Sequence, residues 1–144
     1  MTGYLLDTNC ISELVRVRPE PRVIEWMEAA DEGLLYLSVL TLGEIRKGLA
    51  GLAPGRRRTH LESWLDIDLR ARFSGRVLPI DSEVAERWGS LTARVKRKGM
   101  ALPIIDGLLA ASAKVRGWTL VTRNAADVAR TGVTLVNPFD PAAS

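Results

Sequence analysis

The sequence predicts an α/β fold, a three-layer α/β/α domain around a mostly parallel five-stranded sheet. Three observations predict it. Short apolar runs with little alternation, such as Tyr4-Leu5-Leu6 and residues 34–37, suit strands buried on both faces. Between them lie longer segments whose apolar residues recur at helical spacing. The two kinds of segment alternate along the whole chain, as in a parallel sheet covered on both sides. The 144 residues read as one domain, 1–144. That length suffices to bury about 70% of the unfolded surface.

Each element has its own signal. Residues 4–6 form strand one, and residues 9–15 a short helix that stops before the turn at Pro19-Glu20-Pro21. Val23, Ile24, Trp26, Met27 and Ala30 define a second helix, with Gly33 the candidate C-cap. Residues 34–37 are strand two. Residues 41–49 form a helix ending near Gly51. After the Pro54-Gly55 turn, a longer helix over 57–73 carries Leu61, Trp64, Leu65 and Leu69 as one stripe. Residues 76–80 are strand three. Asp81 caps a helix that runs to Lys98 and is stopped by Gly99. Pro103 opens a helix that ends at Arg116 and Gly117. Residues 118–122 and 133–136 are strands four and five. The segment between strands two and three is a helix-rich insertion.

Composition removes several classes of function. No run of about 18 apolar residues exists to span a membrane. The N-terminus has no basic region followed by a long apolar one, so the cytoplasm is expected. With one cysteine, Cys10, and one histidine, His60, neither a disulfide nor a Cys/His zinc site can form. Nothing in the sequence joins Cys10 to His60 as a nucleophile pair. No Gly-x-Gly-x-x-Gly follows a strand, which argues against a dinucleotide-binding enzyme. The net charge is +3, and arginines cluster at 56–58, at Arg70, Arg72 and Arg76, and at 94–98. These runs read equally as phosphate contacts or as solvated helix faces.

Three acids stand in apolar surroundings: Asp7 at the end of strand one, Glu44 after strand two, and Asp106 in Ile104-Ile105-Asp106-Gly107-Leu108. Each has a structural explanation of its own. Asp7 can cap a helix. Glu44 follows Thr41 at capping-box spacing. Asp106 suits the positive end of a helix dipole. Their convergence is what points elsewhere. If strand one is central, all three face one end of the sheet, where ligands of open α/β sheets collect. Two carboxylates about 5 Å apart repel by roughly 3 kcal/mol at an effective dielectric near 20. Such a group takes up protons or holds a divalent cation. All-oxygen donors select Mg²⁺ or Mn²⁺, which can activate water and steady a phosphoryl oxygen. Thr122, Asn124 and Asp127, just past strand four, offer further oxygens.

These residues carry a resemblance. Leu6-Asp7-Thr8-Asn9 with Ile11-Ser12-Glu13, Leu37-Ser38 with Glu44 and Gly48, and Asp106 with Ala110-Ala111 and Ala113 occur in order. Leu120-Val121-Thr122-Arg123-Asn124 and Val136-Asn137-Pro138-Phe139 follow. The chain resembles the PIN-domain proteins, specifically VapC-type ribonuclease toxins of type II toxin–antitoxin pairs, over nearly its whole length. The resemblance implies a PIN-like fold, an Mg²⁺ or Mn²⁺ site, cleavage of single-stranded RNA, a homodimer and inhibition by a small cognate antitoxin. Where the family usually has Asp, this chain has Asn124.

The expected activity is therefore a metal-dependent endoribonuclease. Asp7, Asp106 and Glu44 are the expected metal residues, with Glu44 binding directly or through water. Asn124 is expected in the metal shell and Asp127 as a secondary member. Thr8 or Thr122 is expected to hydrogen-bond the carboxylates or the scissile phosphate, and Arg46 and Arg123 to track the RNA backbone. Two rivals are weaker. A non-catalytic nucleic-acid or partner-binding module explains the arginines but not the acids. A receiver-type phosphoacceptor domain would use Asp81 after strand three, but strand one here yields Asp7 alone, and Asn137-Pro138 follows strand five.

Overall fold

The five strands run in the order β3-β2-β1-β4-β5, all parallel. The computed structural model describes residues 2–141. The strands are β1 (Tyr4–Leu6), β2 (Leu35–Ser38), β3 (Val77–Leu78), β4 (Thr119–Val121) and β5 (Thr134–Val136). As the first strand expects, β1 is central, pairing Leu5 with Tyr36 on one side and Leu6 with Val121 on the other.

Both faces of the sheet are covered, which is why its strands do not alternate in sequence. Successive side chains point to opposite faces. Leu6, Leu37 and Val121 join one buried cluster with Ile11, Val23 and Phe73. Leu5 and Leu120 join another with Leu109, Ala110 and Ala113. On the first face lie α1 (Thr8–Ser12), α2 (Pro21–Ala29), α3 (Val39–Ala50), α4 (Arg56–Ser63) and α5 (Arg70–Arg72). On the second is α7 (Ile104–Arg116), with α6 (Ser82–Arg97) packed on it through Val84, Leu91 and Ala111, and α8 (Ala125–Val128) following β4.

Several caps fall where the sequence puts them. Asp81 accepts from the Val84 amide at 3.0 Å. Gly117 closes α7 in the left-handed conformation, φ +70°, which glycine adopts without steric cost. Gly33 differs from expectation. Helix α2 ends at Ala29 with Ala30 as its C-cap, and Gly33 lies in a separate 3₁₀ turn, its amide held by Asp31 at 3.0 Å. Helix α3 also starts earlier than expected, because Ser38 caps it by accepting from the Leu40 amide at 3.1 Å. Thr41 is thus inside the helix, and the capping-box account of Glu44 fails.

The insertion helix contains a π-helical stretch, Trp64–Leu69, between α4 and α5. Its buried residues are Leu61, Leu65, Leu69 and Phe73. A strict four-residue spacing drifts around an ordinary helix of 3.6 residues per turn. The wider π turns, with i→i+5 bonds, keep that stripe on the core. Much of the arginine content is structural here. Arg72 and Arg76 both bind Glu32, at 2.9 and 3.1 Å, and both lie over the Phe73 ring. The hydrogen bond from Arg72 is the main cause holding the Glu32 carboxyl below its ordinary range.

Candidate active site

At the C-terminal end of β1 the chain turns directly into α1, and this places Asp7. Its backbone amide still donates to the Val121 carbonyl at 2.9 Å, completing the sheet ladder. Its side chain caps α1 by accepting from the Thr8 amide at 2.6 Å. The expected structural role of Asp7 is therefore real, but it uses one oxygen. The other, Oδ2, accepts from the Thr122 hydroxyl at 2.7 Å and from Asn9 Nδ2 at 3.4 Å. Asp7 is only 6% exposed. Burial is the largest influence and raises its pKa, and the Glu44 charge adds to the rise; the bonds from Thr122 and Thr8 oppose it.

Thr122 is fully buried at the end of β4. Its hydroxyl donates to Asp7 and accepts from the Asn124 amide at 3.0 Å. Asn9 completes this bridge, its carbonyl oxygen accepting from the Arg123 amide at 3.2 Å. Two adjacent parallel strands are thereby tied together at their carboxyl ends through side chains. Glu44 sits in the second turn of α3, where its Oε1 accepts from the Thr8 hydroxyl at 2.5 Å. The buried Thr41 hydroxyl, one turn earlier on α3, lies 3.1 Å from Thr8 Oγ1.

Asp106 enters from the first turn of α7. Its pKa is pushed up to about 6, first by burial, then by the charges of Asp7, Asp127 and Glu44. Those acids come from β1, α8 and α3, so four separate segments deliver four interacting carboxylates. They interact without closing on a point. Among the described residues, no three His, Cys, Asp or Glu side chains are gathered tightly enough to hold a metal ion as they stand. The donor set nonetheless suits a hard divalent cation, being all oxygen, with Asp7 and Glu44 oriented by hydrogen bonds.

Asn124 precedes α8, and its side chain makes no capping bond. Its carbonyl accepts from the Asp127 amide at 3.0 Å. Asp127 is exposed in the first turn of α8, close enough for its charge to act on Asp106. Of the two expected phosphate arginines, Arg46 is turned elsewhere. Two residues past Glu44 is about 200° around the helix, and Arg46 pairs with Asp66. Arg123 meets the site through its backbone amide, which donates to Asn9 Oδ1, while its guanidinium is stacked 4.1 Å over the Phe139 ring. Cys10 is fully buried, and burial pushes its thiol well above the ordinary range, so it is no nucleophile.

The sequence reading assigned no role to Asn9 and took Thr41 for a cap. A signal existed for Asn9, since Asp-Thr-Asn at a strand end places its amide two residues from the carboxylate. Thr41 gave none, because its contact with Thr8 is long-range. Beside the acids, an open groove of about 690 Å³ runs along α3, lined by Val39, Leu40, Gly43, Glu44, Lys47 and Ile105 among others. It is mostly apolar, with Glu44 at its edge.

A family profile described as PIN domain matches residues 4–132. The chain is 36% identical to the VapC ribonuclease Y4jK of Sinorhizobium fredii over 96% of its length and 99% of that protein's. It is 35% identical to toxin FitB of Neisseria gonorrhoeae, covering 94% of this chain and 97% of the toxin. Among solved structures, that of FitAB bound to an IR36 DNA fragment superposes with a TM-score of 0.91 at 34% identity. That match covers 95% of this chain and 96% of the other.

Proposed function

The chain belongs to the PIN-domain family, and on that premise we propose that it is a metal-dependent endoribonuclease acting as the toxin of a toxin–antitoxin pair. One observation carries the proposal: Asp7, Glu44, Asp106 and Asp127 come from separate segments to one end of the sheet, close enough that, after burial, the charges of the other three raise the Asp106 carboxyl. A structural core has no use for such a cluster, because like charges destabilise it. Relatives named as a VapC ribonuclease and as toxin FitB support the same reading.

Asp7, Asp106 and Glu44 would hold Mg²⁺ or Mn²⁺, with Asn124 and Asp127 completing the oxygen set. When bound, the cation supplies an activated water and charge stabilisation at the scissile phosphate. The protein's part is orientation. Thr122 and Asn9 fix the Asp7 carboxylate, and Thr8 fixes Glu44. In the metal-free protein, burial and then the neighbouring carboxylates push the Asp106 pKa up to about 6, so protons and the cation would compete for its oxygens. Arg123, braced on Phe139, would meet the RNA backbone.

The groove along α3 is the favoured seat for a cognate antitoxin. An apolar segment would cover Val39, Leu40 and Ile105, and a basic side chain at its end would reach Glu44. A homodimer belongs to the same proposal. Purified protein, freed of metal and then given Mg²⁺ or Mn²⁺, should cut single-stranded RNA, and EDTA should stop it. Asp7→Asn and Asp106→Asn should abolish cleavage while the circular dichroism spectrum stays native. Wild-type cleavage by either variant with Mg²⁺ present would refute the site. Expression alone should arrest growth, and co-expression of the neighbouring antitoxin gene should relieve it.

A further inference from the structure

A second basic site lies apart from the acids. Arg16, Val17, Arg18 and Arg57 line a surface hollow of about 370 Å³. Three arginines thus line one concavity, although Arg57 is far from the other two in sequence. Only Arg16 has an acid partner, Glu13 at 3.1 Å. Among the described residues, Arg18 and Arg57 form no ion pair. Arg58, next in the same helix turn, is instead paired with Glu62. Gathering unpaired cations costs energy through mutual repulsion unless an anion meets them. Val17, 84% exposed, lies in the same hollow and offers an apolar contact beside the charges.

Topology puts this hollow at the same end of the molecule as the acids. Strand β1 exits at Asp7, and α1 with its 3₁₀ extension, Glu13–Val15, intervenes before α2 carries the chain back to β2. The 16–18 turn therefore belongs to the carboxyl-end side of the sheet. Arg57, in the first turn of α4, lines the same hollow and so lies beside that turn. The helix N-terminus adds a modest positive field to the guanidinium groups.

We propose that Arg16, Arg18 and Arg57 form a remote subsite for the phosphodiester backbone of the RNA substrate, holding a phosphate several nucleotides from the one that is cut. The inference rests on the ribonuclease reading above. It makes the substrate an RNA long enough to reach both the acids and the hollow. Guanidinium groups bind phosphate bidentately and without base selectivity, so the subsite contributes affinity and register and leaves sequence choice to the acidic end.

The test separates binding from cutting. RNA binding is measured on Asp7→Asn in EDTA, with an unstructured single-stranded RNA, across a salt series. Adding Arg18→Ala and Arg57→Ala should weaken binding roughly tenfold at low salt, and lower the slope of log affinity against log salt by about 1.4, the value for two phosphate contacts on single strands. The matched control, Arg87→Ala with Arg97→Ala on α6, removes the same charge elsewhere and should leave the slope within error of the parent. Equal losses from both pairs would reduce the effect to net charge and overturn the subsite. So would no loss from Arg18 and Arg57. If an acidic peptide competes at the hollow while RNA binding is insensitive to these arginines, the site serves a protein instead and the proposal fails. Cleavage by the wild type is scored in parallel. Arginine-dependent binding without cleavage would sink the nuclease reading alone, and cleavage without that dependence would sink the subsite alone.

Discussion

The Thr122 hydroxyl donates to Asp7 Oδ2 at 2.7 Å, joining the carboxyl ends of β4 and β1 through buried side chains. The bond holds down the Asp7 pKa against the rise that burial causes. Thr122→Val keeps the shape and removes the donor. Asp7 should then ionise at higher pH, and Mg²⁺ affinity should fall by roughly 10- to 100-fold, the range for loss of a group that orients a metal ligand. The pH at which cleavage reaches half its maximum should move upward. Isothermal titration with Mg²⁺ and a pH–rate profile would check both, and an unchanged profile would show that the bond is only structural.

Asp106 makes stability depend on pH. Its carboxyl titrates at about 6 in the folded chain, against an ordinary value of 3.8. Between those values the folded chain keeps a proton that the unfolded chain has released, so stability falls as pH rises through the window and levels above it. The group is partly exposed, so solvent screening reduces the effect. Metal-free protein should therefore melt at a higher temperature at pH 4.5 than at 6.5 as far as Asp106 contributes. Asp106→Asn should flatten that part of the profile and raise the melting temperature at neutral pH. A wild-type profile retained by Asp106→Asn would place the titration elsewhere. Mg²⁺ binding should also weaken as pH falls below about 6, because protons compete for the same oxygens.

Gly107, next to Asp106, lets α6 and α7 approach closely. A methyl group there would lie 3.0 Å from Trp88 Cδ1 and 3.1 Å from both Trp88 Nε1 and Leu102 Cδ2. Gly107→Ala gains about 1 kcal/mol in helix propensity, while overpacking costs about 1–3 kcal/mol. Net stability should change little or fall slightly, while the first turn of α7 moves and carries Asp106 with it. Metal affinity should drop about tenfold or more, in line with the loss of supporting contacts to a ligand. Trp88→Leu makes room and should restore part of that affinity in the double variant. Two independent, additive losses in a Mg²⁺ titration would show that the contact does not position Asp106.

Legibility in the sequence followed the range of each interaction. Strands and caps are local, so Tyr4–Leu6, Asp81 and Gly117 were readable from a few residues. Glycine at the end of a helical pattern is a weaker signal, and Gly33 serves a separate turn instead of α2. The π turns were hidden because a four-residue spacing fits either helix to a first approximation. The acids were legible as misfits in apolar runs, and the charges acting on Asp106 link all four. Their scaffolding was not legible, since Thr8 meets Glu44 and Asn9 meets Arg123 across 36 and 114 residues. The arginine runs said least. Only packing separates Arg72 and Arg76, spent on Glu32, from Arg18 and Arg57, which are not.

The position after β4 offers two candidates for the last metal oxygen, and their chemistry differs. Asn124 presents a neutral amide, a weaker Mg²⁺ ligand than a carboxylate and unable to act as a base. Asp127 lies three residues on, one helical turn away and so on a shared face, and its charge already raises Asp106. A backbone bond from the Asp127 amide to the Asn124 carbonyl closes the turn between them. If Asn124 fills the shell, Asn124→Ala should lose Mg²⁺ affinity and Asn124→Asp should gain it, with Mn²⁺ gaining at least as much. If Asp127 fills it, Asp127→Ala should cost activity heavily and also relax the Asp106 carboxyl towards its ordinary pKa, while Asn124→Ala costs little. Metal titrations of the two alanine variants, read beside the ¹³C-detected titration of Asp106, separate the cases. A loss of affinity confined to Asp127→Ala with a downward shift at Asp106 assigns the shell to Asp127. Loss in Asn124→Ala with Asp106 unmoved assigns it to Asn124.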